Sequence, residues 1–284
     1  MGGTPDNRSV VLFLPAHDEE ATVGDVVRRA PRTVAGQPVR VVVVDDGSTD
    51  TTAAVARAAG ATVCTHARNR GLGAAVRTGL AWAVEHDAVA VAFCDADGEY
   101  APEELADLVG PILAGEADYV VGSRFAGGAR AMRPHRWFGN KVLTVAVRLA
   151  ARLAARRVRS GPAVRISDGQ SGYRVLSAEA AAAAEVIHDF NYAQVLTLDL
   201  LAKGYRYAEV PISYRFRRHG RSFVRLGPYL RQVVPAVWRQ LRAQDRSRPR
   251  RSRPVATFGG KNDPGQSSTT NERKPSRAAN QVGS

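Results

Sequence analysis

Residues 41–50 read Val41-Val42-Val43-Val44-Asp45-Asp46-Gly47-Ser48-Thr49-Asp50. A β-branched run without polar alternation predicts a strand covered on both faces. It stops on a pair of carboxylates and on Gly47, whose backbone freedom suits a tight turn. Thr49 and Asp50 are placed to cap a helix carrying Ala54, Val55, Ala58 and Ala59. Strand, acidic turn and helix in that order form the repeating unit of a parallel sheet.

The same unit recurs on either side. Upstream, Val10 to Leu14 is an uninterrupted apolar run, followed at helical spacing by Val23, Val26, Val27 and Ala30. Val39 to Val44 is the second strand. Downstream, Ala61 to Cys64 predicts a third strand, Gly73 to Glu85 a helix, Val89 to Phe93 a fourth strand and Tyr119 to Val121 a fifth. Pro102 suits the first turn of the helix between the last two. The fold class expected is α/β, with a mostly parallel central sheet flanked by helices. Further helices are expected over 141–157, 177–186, 194–203 and 229–242, and a strand over 205–214. The expected layout is a flexible start over 1–8, one domain over 9–242 and a disordered basic tail over 243–284.

The chain has 284 residues, 44% of them hydrophobic, and a formal net charge of +13. That charge points to a polyanionic neighbour: a phosphorylated substrate, an anionic membrane surface or nucleic acid. No interleaved aromatics or binding module supports specific nucleic-acid recognition. Cys64 and Cys94 sit in strand-like runs and read as small buried residues. No apolar run approaches the roughly 20 residues needed to span a bilayer. The chain is therefore expected to be soluble or to lie on a membrane without crossing it, and the expected location is cytoplasmic or peripheral on the cytoplasmic face. The basic amphipathic stretches 142–153 and 229–242 suit peripheral contact with an anionic bilayer; packing against a core is the alternative, and suits the first stretch at least as well.

Ligands of parallel sheets gather beyond the carboxyl ends of the strands. The acidic clusters stand there: His17-Asp18-Glu19-Glu20, Asp45-Asp46 and Asp95-Ala96-Asp97-Gly98. Asp95 and Asp97, two residues apart at a strand end, can both approach one oxygen-seeking cation that bridges to a diphosphate. Asp46 can accept hydrogen bonds from a base N–H or a ribose hydroxyl. Thr49 is given the capping role. No Ser-His-Asp pattern is present, and Asn69-Arg70-Gly71-Leu72-Gly73 lacks the Lys-Ser/Thr ending of a P-loop. His17, His135 and His219 read as surface or packing residues.

In chain order, five stretches resemble the family-2 glycosyltransferases of the GT-A (Rossmann-like) fold. They are residues 14–20, 44–50, 69–75, 95–98 and Val121-Gly122-Ser123-Arg124-Phe125. Three more are similar to the polyprenyl-phosphate sugar synthases, the dolichyl-phosphate mannosyltransferase-like branch. These are residues 136–141, Asp168-Gly169-Gln170-Ser171-Gly172-Tyr173-Arg174, and Glu209-Val210-Pro211-Ile212 leading to residues 217–222. The resemblance implies that Pro15, Ala16, Glu19 and Asp46 hold the nucleoside. Gly71, Asp95, Ala96 and Asp97 complete the nucleotide-sugar site, with Mg²⁺ or Mn²⁺ on Asp95 and Asp97. Arg124, Arg130, Arg133 and Arg136 face an acceptor phosphate, and Asp97, Arg124 and Asp168 form the catalytic set. Asp168 keeps three roles open: general base, orienting carboxylate near the sugar, or anchor of the loop around Gly169 and Gly172.

The expected reaction is inverting transfer of a hexose from a GDP-mannose- or UDP-glucose-type donor to a polyprenyl or dolichyl phosphate. A phosphate acceptor is already anionic near neutrality, so positioning and charge screening suffice, whereas a hydroxyl acceptor needs a base. The alternatives are transfer to a hydroxyl of a glycan or small natural product, and a non-catalytic sugar-nucleotide-binding protein.

Overall fold

Pairing of the 41–45 run with the 10–16 run sets the architecture. A computed structural model describes residues 8–126, 166–189 and 192–215. Arg130, Arg133, Arg136, the expected helices over 141–157 and 229–242 and the basic tail lie outside the described residues.

Strand β1 (Val10–Ala16) is buried along its whole length. It lies parallel to β3 (Gln37–Asp45), with Val10 opposite Val39 and Ala16 opposite Asp45. On its other side it runs parallel to β5 (Ala90–Phe93). The sheet order is β2-β3-β1-β5-β7-β6-β8, with β4 (Thr62–Thr65) also on β3. Here β2 is Thr33–Val34, β6 Tyr119–Ser123, β7 Arg174–Ser177 and β8 Tyr207–Pro211.

Among the described residues the sheet is mixed, with parallel pairs in the majority as expected. The pairs β1–β3, β1–β5, β3–β4 and β6–β8 are parallel. The pairs β2–β3, β5–β7 and β6–β7 are antiparallel. Two members are unexpected, the short β2 and β7, and β7 separates β5 from β6. Because it runs against them, its start lies at the edge where they end: Phe93 and Val121 both face Arg174. The loop entering β7 therefore reaches the same edge as the loops leaving β1, β3, β5, β6 and β8.

Side chains alternate across the pleat. Leu12, Leu14 and Val43 point into one layer with α1 (Val23–Arg29), α2 (Thr52–Ala58) and α4 (Leu105–Leu113). Val11, Phe13, Val42 and Val44 point into the other, with α3 (Leu72–Glu85), α5 (Ala178–Ala183) and α6 (Ala193–Ala202). Both layers are apolar, which is why the central strands carry no polar alternation. Phe13 and Phe93 stack with centroids 4.8 Å apart. Gly79 lets α3 settle on that pair, since a Cβ there would lie 2.3 Å from the Phe13 ring. Burying an aromatic of this size contributes about 1.5–3 kcal/mol.

The helix after β3 corrects one assignment. Its N-cap position is Thr51, and Thr49 does not cap it. The Asp50 carboxylate does cap, accepting the Thr52 N–H at 2.9 Å. Pro102 opens a short 3-10 turn, Pro102–Glu104, that leads into α4.

Candidate active site

The loops after β1 and β3 are laced together. Ser48 Oγ accepts the Asp18 N–H at 3.0 Å, and Asp18 Oδ1 accepts the Thr49 N–H at 2.8 Å. Thr52 Oγ1 accepts the Glu19 N–H at 2.8 Å. Asp50 accepts the Glu20 N–H at 3.2 Å, and Glu20 accepts the Thr51 N–H at 3.0 Å. Asp18, Glu20, Ser48, Thr49 and Asp50 therefore spend their polar atoms on joining two loops. The Glu19 carboxylate receives the Thr22 hydroxyl at 3.1 Å.

Asp46 is 4% exposed. Its carboxylate pairs with His66 Nδ1 at 2.6 Å and accepts the N–H groups of Arg70 at 3.0 Å and Gly71 at 2.7 Å. His66 reaches on to Thr78 Oγ1 at 2.9 Å. Asp46 thus pins the Asn69-Arg70-Gly71 turn beside the expected nucleoside position. Gly47 has φ +70° and packs where a Cβ would lie 2.3 Å from the Arg68 carbonyl carbon, so both backbone and space require glycine. Pro15 and Ala16 are buried at the end of β1. Next to them, His17 Nδ1 is a buried polar atom with no hydrogen-bond partner among the described residues. Such an atom calls for a ligand or a water.

The loop after β5 carries Asp95, half-buried, Ala96, buried, and Asp97, 9% exposed. Asp97 Oδ1 accepts the Glu99 N–H at 3.0 Å, which folds the turn at Gly98. Behind Asp95 lies Gly172, where a Cβ would come 2.6 Å from Asp95 Oδ2. The Gly172 N–H donates to Tyr100 Oη at 2.7 Å. Burial pushes the Tyr100 phenol above its ordinary range, so it stays neutral there.

No cluster of three metal-ligating side chains is present among the described residues. Paired carboxylates with room for water and phosphate oxygens are nonetheless what Mg²⁺ or Mn²⁺ takes when it works on a diphosphate. Asp95 and Asp97 fit that donor set, and the missing side chain at Gly172 keeps space open against Asp95. Gly172→Ala is expected to displace that carboxylate and raise the Mg²⁺ concentration for half-maximal donor binding by about 10-fold or more. A metal titration read by donor binding, with a thermal scan to confirm folding, checks this. An unchanged titration would remove Gly172 from the site.

Across the edge from these carboxylates stands a buried ion pair. Arg124, just beyond β6, donates from Nε and Nη2 to Asp168 at 2.7 and 2.9 Å, and its backbone N–H reaches the same carboxylate at 3.2 Å. Arg124 is 6% exposed and Asp168 0%. Burial opposes the charge on Arg124, but the Asp168 carboxylate bonded to it holds its pKa above the usual arginine value. With both oxygens of Asp168 engaged, the arrangement favours the anchoring role among the three left open. Glu209 holds the same loop from β8, accepting the N–H groups of Ser167 at 2.7 Å and Asp168 at 3.2 Å and the Tyr207 hydroxyl at 2.6 Å. Arg174 secures the loop from beneath. This fully buried guanidinium donates to the Ser171 carbonyl at 2.8 Å, the Gly169 carbonyl at 3.1 Å and the Ala193 carbonyl at 2.9 Å.

The structure thus brings Pro15, Ala16, Glu19, Asp46, Gly71, Asp95, Ala96, Asp97, Arg124 and Asp168 to one edge of the sheet. Sequence reasoning missed His66, Tyr100 and Tyr214, and gave no role to Gly172, Arg174 or Glu209. Those last three stood in the quoted stretches. His66 carries no local signal, because its partner Asp46 is distant in the chain.

Comparison with known proteins gives a consistent family. Residues 11–156 match the family model described as glycosyl transferase family 2. An uncharacterised protein of Methanocaldococcus jannaschii is 30% identical over 220 residues, covering 75% of this chain and 84% of the relative. Polyprenol monophosphomannose synthase of Mycolicibacterium smegmatis is 30% identical over 228 residues, covering 77% and 81%. Among solved structures, glucosyl-3-phosphoglycerate synthase from Mycobacterium tuberculosis, in complex with Mn²⁺, UDP and glucosyl-3-phosphoglycerate, superposes with TM-score 0.61. It is 26% identical, with 82% of this chain and 80% of that one covered.

Proposed function

The chain belongs to glycosyl transferase family 2, it is a glycosyltransferase of the polyprenyl-phosphate branch, and from that premise we propose that it moves a hexose from a nucleoside-diphosphate sugar to a polyprenyl phosphate with inversion. The observation that carries this reading is the convergence, at one sheet edge, of the Asp46 turn, the Asp95 and Asp97 carboxylates and the Arg124–Asp168 pair.

The nucleoside lies against Pro15, Ala16 and Glu19, over the turn that Asp46 holds. Asp95 and Asp97 hold Mg²⁺ or Mn²⁺, which when bound neutralises charge developing on the leaving diphosphate. The relative solved with Mn²⁺ and UDP supports such use of a metal. Arg124 orients the acceptor phosphate through Nη1, the nitrogen that Asp168 does not take. Asp168 keeps the guanidinium plane fixed and moves no proton. Arg130, Arg133 and Arg136 add cationic donors on the acceptor side. The catalytic domain is taken to span residues 9–242.

No helix among the described residues is long and apolar enough to cross a membrane. Contact with an anionic surface on the cytoplasmic side is the proposed access to a lipid acceptor, for which the net charge of +13 is suited. A second reading, transfer to a hydroxyl of a small phosphorylated acceptor, is supported by the solved relative bound to UDP and glucosyl-3-phosphoglycerate.

The test incubates the full chain with Mg²⁺ or Mn²⁺, labelled GDP- and UDP-sugars, and either polyprenyl phosphate or water-soluble acceptors. Label is expected to pass into the organic phase with polyprenyl phosphate, and EDTA should abolish it. Transfer only to soluble acceptors would overturn the lipid assignment.

A further inference from the structure

Tyr214 stands just beyond β8, half-buried, in a stretch to which neither the sequence motifs nor the proposed reaction gives a role. It touches both halves of the site. On the acceptor side, the Arg124 guanidinium carbon lies 5.3 Å from the centroid of its ring. On the metal side, its hydroxyl donates to Glu99 Oε2 at 2.9 Å, and Glu99 is the residue whose N–H closes the Asp97 turn. The neighbouring Arg215 N–H donates to the Glu99 carbonyl at 2.9 Å, so the turn is held by backbone as well as side chain. Tyr214 also forms an isolated antiparallel bridge with Tyr100, their rings edge-to-face at 5.9 Å. Tyr100 is the group that receives Gly172 behind Asp95.

Between the two half-sites there is thus one aromatic side chain with a bond to each. A residue that merely filled space after an edge strand would need neither a hydroxyl on a carboxylate nor a ring under a guanidinium. The chemistry of the two contacts differs, which makes them separable. The hydroxyl contact is a hydrogen bond to a charged group, directional and lost with one oxygen atom. The ring contact is a cation–π interaction that needs only the aromatic face.

We infer that Tyr214 is a positioning residue that ties the acceptor-side arginine Arg124 to the metal-side turn Asp97-Gly98-Glu99. It fixes the distance between the two halves of the site without touching the reacting atoms. The inference rests on the proposed function for what each half binds, but the tie itself is a property of the unliganded chain.

The test uses the full chain and Tyr214→Phe, Tyr214→Leu, Glu99→Gln and the Tyr214→Phe/Glu99→Gln double variant. Binding of UDP and GDP in Mg²⁺ is measured by calorimetry without acceptor, and KM and kcat are measured with polyprenyl phosphate. Tyr214→Phe keeps the ring and is expected to weaken metal-dependent nucleotide binding by about 10-fold, with acceptor KM nearly unchanged. Tyr214→Leu is expected to lose that and also to raise acceptor KM about fivefold. Glu99→Gln should weaken nucleotide binding as Tyr214→Phe does, and the double variant should be no weaker than either single one.

Additive losses in the double variant, or Tyr214→Phe binding nucleotide as tightly as the wild type, would overturn the tie. If Tyr214→Leu fails to fold, the Tyr214→Phe and Glu99→Gln cycle decides alone. A wild-type chain that binds neither nucleotide with Mg²⁺ sinks the proposed function and this inference with it. A wild type that binds and turns over, with variants that match it, sinks this inference only.

Discussion

Asp97→Ala is expected to leave a folded chain whose metal-dependent transfer falls by about 100-fold to 1,000-fold or more. The loss of that magnitude follows from removing one of two carboxylates that would fix the cation against the leaving diphosphate, where charge develops and water is scarce. Part of the structural cost is the backbone contact that Asp97 makes within its own turn, to Glu99 N–H at 3.0 Å, and a bond of that kind contributes about 1.5–3 kcal/mol when the acceptor is charged. Steady-state rates across a Mg²⁺ series, with nucleotide binding followed by thermal shift, separate the two effects. The wild type should gain stability from nucleotide plus metal, and the variant should not. Undiminished, still metal-dependent turnover in the variant would sink the assignment of Asp97.

Asp168→Ala is expected to act first on stability. Removing one partner of a buried pair strands the other charge, at a cost of about 3–5 kcal/mol. Asp168 is fully buried and Arg124 nearly so, and the loop would also lose the Gln170 N–H contact at 3.2 Å. Urea unfolding of the single variant and of an Arg124→Met/Asp168→Leu double variant checks this. The double variant, which leaves no lone charge, should recover much of the stability and none of the transfer. A general base would behave otherwise: Asp168→Ala would fold normally and lose only activity with hydroxyl acceptors. A single variant within about 1 kcal/mol of the wild type would refute the anchoring role.

The part of the sheet from β1 to β5 was legible in the sequence because it is built from local units. Val10–Ala16, Ala90–Phe93 and the Val42–Asp45 end of β3 are buried on both faces, so their apolar runs are continuous and their polar continuations stand out. The part built from β6 to β8 was less legible for an equally physical reason. Strand β7 opens on Arg174, which carries no local sign of burial and is fully buried, satisfied by carbonyls and hydroxyls from Gly169 to Thr197. Only tertiary structure supplies those partners. Asp168 was ambiguous because its role depends on Arg124, 44 residues away. Thr49 was misassigned because a threonine before a helix usually caps it, and here Asp18 on another loop claims both its N–H and its hydroxyl.

The insertion of β7 between β5 and β6 also orders how the protein is made. Strands β1, β3 and β4 find all their sheet partners within the first 93 residues. Strand β6 finds neither of its neighbours there, because β7 and β8 leave the ribosome only with residues 174–177 and 207–211. Until then Tyr119, Val120 and Val121 form an unpaired apolar edge of the kind that recruits chaperones or aggregates. Vectorial synthesis therefore supplies the β1–β3–β4 part of the sheet first. Strand β6, which ends one residue before Arg124, waits without its neighbours for the last part of the sheet to arrive.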